Sequence, residues 1–181
     1  MTKNEIIANA EETFRRFTQT CKSVDETLFF ERSANKWSIA ENVNHLIVST
    51  NTTTLAYSLP RFLVRWVGGR PNRPSRSFEE LSAKYYKKLE EGGKASSRYV
   101  PKPIEIKYGR DKLINGWEKA TQKFGKALQS NRTEDDLDNY LAAHPLLGRI
   151  TLRELGYFTI FHTGHHLNTI DKLIRANDTI L

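Results

Sequence analysis

At four places in this chain a Ser or Thr stands three residues before a Glu at the head of an apolar-periodic stretch. The pairs are Thr2/Glu5, Ser38/Glu41, Ser77/Glu80 and Thr151/Glu154. In such a capping box the hydroxyl accepts from a free amide of the first helical turn, and the Glu carboxylate reaches back to the capping residue's own amide. Each device marks a helix N-terminus, and together they commit most of the chain to helix.

The stretches they open carry helical spacing. The first runs from about Asn4 to Cys21, with Ile6, Ala10, Thr13, Phe17 and Cys21 near one face. The second runs from Ser38 to about Leu59, where Pro60 discourages extension, and its stripe is Ile39, Val43, Leu46 and Ile47. A third stretch without a box covers Arg110 to Ser130, with Leu113, Trp117, Ala120, Phe124 and Leu128 spaced by threes and fours. The fourth extends from Thr151 to about Ala176. One apolar face per helix is the pattern of a bundle core. Between the second and third stretches lies a less regular region. It holds a turn-rich connector, Gly68 to Pro74, a short amphipathic helix from Phe78 to Glu91, and an extended segment around Pro101 and Pro103. The expectation is an all-α four-helix bundle with a long crossover between the second and third helices, one domain over residues 1–181. No strand pair is expected.

Composition narrows the function classes. With 181 residues, 38% hydrophobic and 27% charged, the chain can bury a substantial core. No apolar run approaches the roughly 20 residues of a membrane span, and no signal pattern opens the sequence, so a cytoplasmic address and no membrane partner are expected. Cys21 is the sole cysteine, which excludes an intrachain disulfide and a thiolate zinc site. It closes a core stripe, with no basic motif to activate it. The net charge is +7, concentrated around Arg61, Arg65, Arg70, Arg73 and Arg76. No nucleic-acid motif accompanies these arginines, so they read as a solvated loop and no nucleic-acid partner is expected.

The chemistry lies in the fourth helix, in Phe161-His162-Thr163-Gly164-His165-His166-Leu167. Leu155, Thr159, His162, His166, Thr169 and Leu173 follow one another by fours and threes, the seam of a helix packed against others. Two imidazoles at i and i+4 on that seam can converge on one metal ion. Buried without a metal, they would leave several polar nitrogens to satisfy. His165 lies about 60° around the helix from His162, on the side away from His166, and reads as a rim residue. A third ligand has two candidates. His45 sits on the second helix off the centre of its stripe, and His144 precedes Pro145 in a loop. Periodicity does not choose between them.

Three segments together resemble the DinB superfamily. Lys36-Trp37-Ser38-Ile39-Ala40-Glu41-Asn42-Val43-Asn44-His45-Leu46 is similar to that family's Trp-Ser-x-x-Glu followed by His-Leu. His144-Pro145-Leu146-Leu147-Gly148 is similar to its His-Pro-x-x-Gly turn, and His162 to His166 to its His-x-x-x-His. The resemblance implies a DinB-like four-helix bundle with a metal-binding triad of His45, His162 and His166, and makes His144 a turn residue. It implies a divalent metal, with zinc or nickel suited to imidazole, and a position left open for water or substrate. It further implies a metal-dependent transferase that acts with a low-molecular-weight thiol on a small-molecule substrate. The alternatives are a metal-dependent hydrolase using metal-bound water, or a non-catalytic stress-response or dimerisation protein, and a homodimer is compatible with the apolar residues left over. Glu41 and Trp37 are assigned to the helix entrance, as cap and hydrophobic anchor, and not to the site.

Overall fold

The structure, a computed structural model, describes residues 1–32, 36–94 and 96–178. Its frame is four long helices, α1 (Lys3–Ser23), α3 (Ile39–Ser58), α6 (Arg110–Asn131) and α8 (Leu152–Asp178). Each of α1 and α3 packs on both α6 and α8, so the four stand in a square with α1 diagonal to α3. Short helices fill the connections: α2 (Glu26–Phe30), α4 (Arg61–Gly68), α5 (Phe78–Glu90) and α7 (Glu134–Asn139). The four-helix bundle and its long crossover between α3 and α6 are as expected, and α5 is the amphipathic helix read at Phe78–Glu91.

All four anticipated capping boxes form. Thr2, Ser38 and Ser77 each accept from the amide of their Glu partner, and each Glu accepts from the capping amide. For α8, the Thr151 hydroxyl accepts from the Glu154 amide at 3.1 Å, and the Glu154 carboxylate accepts from the Thr151 amide at 3.0 Å. A further box, Thr133/Asp136, starts α7 and escaped the Ser/Thr-x-x-Glu pattern because its acid is Asp. On α1 the buried face is Ile6, Ala10, Phe14, Phe17 and Cys21. Phe14 takes the inward position assigned to Thr13, and meets Trp117 and Phe124 of α6 edge to face at 5.2 and 5.6 Å. Trp117 donates its indole N–H to Thr18, so the largest core side chain is also hydrogen-bonded.

A strand pair does exist. Leu141–His144 (β1) and Gly148–Thr151 (β2) form an antiparallel hairpin with Leu141 opposite Thr151. Four residues per strand are too few for a period of two to register against the sequence around them. His144 shapes the turn between them, its Nδ1 accepting from the amides of Leu146 and Leu147 at 3.2 and 3.1 Å. The hairpin is seated against α4 at Gly68, where a Cβ would lie 2.0 Å from the carbonyl oxygen of Leu141.

Of the five arginines of this region, Arg70 is exposed, and the other four have partners and are not merely solvated. Arg73 forms a two-pronged bond to Glu154 at 2.7 and 2.8 Å, and Arg76 adds a backbone amide at 2.8 Å and a guanidinium contact at 3.2 Å. Glu154 is fully buried. Arg61 pairs with Asp136, and Arg65 lies over the Tyr140 ring at 4.6 Å. The sequence reading went astray because the acids that engage these arginines lie far along the chain. One carboxylate thus caps α8 and ties the crossover to it. Removing one member of such a buried pair strands the other charges, so Glu154→Ala should destabilise the fold by about 3–5 kcal/mol in urea unfolding. Arg76→Ala, which leaves the two-pronged Arg73 bond in place, should have a smaller effect.

Candidate metal centre

The seam on α8 points where its spacing says. His162 and His166 are 5% and 6% exposed, and they face α3 across the bundle. His45 is 5% exposed and meets them from α3. Its unfavourable phase has a physical resolution: α3 touches two partners and so has two inward faces. Ile47 faces α6, lying 3.3 Å from where a Cβ on Gly116 would stand, whereas His45 looks toward α8.

Two of the rings are oriented by bonds on their outer nitrogens. His45 Nδ1 lies 2.7 Å from the backbone carbonyl of Tyr99, in the crossover. A carbonyl only accepts, so that nitrogen carries the proton. His166 Nδ1 lies 2.6 Å from Oδ1 of Asn42. The Asn42 amide is fixed the right way round because its Nδ2 donates to the carbonyls of Ser38 and Trp37, at 2.8 and 3.4 Å. His166 Nδ1 therefore also donates. Burial depresses the pKa of all three rings, and for His162 and His166 the neighbouring imidazoles add to the effect, leaving neutral rings; on His45 and His166 the Nε2 lone pair is then directed inward.

Those lone pairs meet. His162 Nε2 is 3.1 Å from His45 Nε2 and 3.2 Å from His166 Nε2. One proton on His162 could serve only one of these contacts well, leaving a second pair of nitrogens opposed. A cation answers all three at once, and the donor set suits a divalent transition metal. His45, His162 and His166 are the described His, Cys, Asp or Glu residues whose potential ligand atoms lie together within 4.8 Å.

The surroundings are aromatic. Trp37 stacks parallel to His166 at 6.2 Å and tilts over His45 at 5.0 Å, while Phe158 stacks on His162 at 4.6 Å. Trp37 is thus more than the helix-entrance anchor read from its position: it roofs two of the three imidazoles. Asn42 and the Tyr99 carbonyl were missed altogether. A buried Asn three residues before a candidate His was a visible signal, and a backbone carbonyl supplied by a distant loop has none. Glu41 stays outside the cluster as expected, capping α3 and pairing with Arg32 at 3.1 Å. His165 packs beside Tyr86 at 5.9 Å and is not among the converging groups. His144 keeps to its turn, its pKa pushed down to about 4 by burial. Cys21 is buried in the core, which pushes its thiol pKa up and leaves it unreactive.

The triad opens into a cavity of about 640 Å³ between α3, α4, α5, α8 and the hairpin. Among its described lining residues there is no Asp or Glu, and Arg73 and Arg76 do not reach it. Among the described residues, no helix is long and apolar enough to cross a membrane.

Comparison with known proteins agrees with this architecture. Among solved structures, the colibactin self-resistance protein ClbS, in complex with a dsDNA, aligns with a TM-score of 0.56 at 15% identity over 96% of both chains. A mycothiol-dependent maleylpyruvate isomerase aligns with a TM-score of 0.53 at 15% identity, over 92% of this chain and 60% of that one. A search of curated proteins by sequence found no match. The ClbS complex overturns the expectation that nucleic acid has no place with this chain. That expectation rested on the lack of a recognisable motif, and a bundle of this fold is seen with duplex DNA. The family model for the DinB superfamily matches residues 9–170, and with the bundle, the crossover and the three clustered histidines in view, the chain belongs to the DinB superfamily.

Proposed function

We propose that His45, His162 and His166 hold one divalent cation, zinc or nickel, and that the protein is a transferase acting with a low-molecular-weight thiol. The observation that carries this reading is the pair of Nδ1 bonds, to Tyr99 and Asn42, that turn the Nε2 lone pairs of His45 and His166 toward Nε2 of His162 beside a cavity. An ion held there supplies Lewis acidity, lowering the pKa of a thiol or water that reaches it. The chain's own part is to keep the imidazoles neutral by burial, to fix the tautomers of His45 and His166, and to keep water away with Trp37 and Phe158. Three protein donors and an adjoining cavity are the arrangement of a site that takes a ligand, where purely structural sites are closed by a fourth.

A thiol is favoured over water as the nucleophile because no carboxylate is among the described residues that line the cavity, to act as a general base. The likeness in fold to a mycothiol-dependent isomerase supports the same choice. A hydrolase would need its base from a histidine at the rim, such as His165.

Protein purified without chelator should carry or take up about one zinc or nickel per chain by elemental analysis. His45→Ala, His162→Ala and His166→Ala should each abolish tight binding, and His144→Ala should spare it. Asn42→Ala should weaken affinity about 10–100-fold without removing a ligand. Metal-loaded protein should then conjugate a halogenated bimane to one of a panel of small thiols. Failure to bind either metal removes the reading, and full occupancy in the His45 variant removes the assignment of the third ligand.

A further inference from the structure

The cavity beside the triad extends along two helices. Along α3 its wall runs from His45 through Ser49 and Ala56 to Leu59, a rise of about 21 Å at 1.5 Å per residue. Along α8 it runs from His166 through His162 and Phe158 to Leu155, about 16 Å on the same basis. The histidines occupy one end of both walls. The far end is closed in by Val64 of α4 and Leu141 of β1, and opens past Leu55 and Val67. These two are 51% and 59% exposed, yet both line the cavity, so they form an apolar lip.

The lining between the two ends is mostly apolar, its polar side chains outside the triad including Ser49, Thr52, Thr53 and His144. Thr52 donates its hydroxyl back to the Val48 carbonyl at 2.9 Å, which hides its polar atom in its own helix. Thr53 is met by Thr159. The single full charge among the described lining residues is Lys94, which is exposed at the rim. Apart from Lys94 at the rim, the described walls offer no charge to pair with a carboxylate or phosphate, and would penalise its desolvation. They reward apolar surface along their length.

We infer that the substrate is an elongated amphiphile: a single polar, reacting head at the histidines and an uncharged hydrocarbon tail along α3, emerging between Leu55 and Val67. This rests on the reading that the triad is the reacting end, and it adds the class of electrophile that the site receives. The head is the group that meets the thiol; the tail supplies binding energy and alignment.

The test uses the full chain and a series of straight-chain primary alcohols from butanol to dodecanol, which probe the tail site without needing a metal. Affinity is measured by calorimetry or displacement of a fluorescent apolar probe, in the wild type with and without zinc and in the His162→Ala variant. Binding should tighten about fourfold per added methylene and level off once the tail passes the lip. Ala56→Trp, which plugs the cavity toward its far end, should weaken the longer alcohols at least tenfold and leave butanol unchanged. Val67→Asp, at an exposed position that does not threaten folding, should selectively weaken the longest members. Affinity independent of chain length, or a length dependence untouched by both variants, overturns the inference. The same chain-length profile in His162→Ala and in zinc-free protein separates the tail site from the metal reading: loss of metal binding alone leaves the profile standing.

Discussion

Two hydrogen bonds on the outer edges of two imidazoles govern the site. If His45 Nδ1 were not held by the Tyr99 carbonyl, and His166 Nδ1 not by Asn42, either ring could flip or change tautomer and its Nε2 would no longer be a lone pair aimed inward. The holding groups are themselves anchored. Asn42 is oriented by the Ser38 carbonyl at the start of α3, where the capping box also fixes the helix entrance. Tyr99 belongs to the crossover, whose earlier residues Arg73 and Arg76 are bound to Glu154 at the start of α8. The geometry at the histidines is thus tied to the beginnings of the two helices that carry them.

This arrangement explains why polar residues occupy the middle of the bundle. α3 buries Asn42, His45, Ser49, Thr50 and Thr53, and α8 buries Thr159, His162, Thr163 and His166, where a bundle optimised for stability would place Leu and Ile. Burial depresses the pKa of each histidine, so the folded state resists protonating them and loses stability as pH falls below about 6.5, where an unfolded chain takes up protons more readily. The compensation is the aromatic core between α1 and α6, where Phe14, Phe17, Trp117 and Phe124 pack edge to face without any functional constraint. Stability and chemistry are concentrated on opposite sides of the same square of helices.

Much of this was legible in the residues. The capping boxes located three of the four long helices, and the four-three spacing from Leu155 to Leu173 put His162 and His166 on one inward face before any coordinates. His45 was a different matter. Its phase relative to Ile39, Val43 and Leu46 argued against burial, because a helical wheel assumes one inward face and α3 has two. The hairpin was invisible because its strands are too short to show a period. The roles of Arg73, Arg76 and Asn42 depend on partners 81, 78 and 124 residues away in sequence, a distance over which local pattern carries no information. The expectation that nucleic acid has no place here failed because it rested on the lack of a motif alone, and a protein of this fold is seen with duplex DNA.

The central claim is that three Nε2 atoms, two of them on rings whose Nδ1 protons are held elsewhere, form one metal site with a position left for a ligand. Anomalous diffraction from zinc-loaded crystals tests it most directly. The account predicts a single ordered ion about 2.0–2.1 Å from Nε2 of His45, His162 and His166, with its remaining coordination facing the cavity and filled by solvent. An ion held through any Nδ1, or one that draws in His144, His165 or Glu41 in place of a member of the triad, would contradict it.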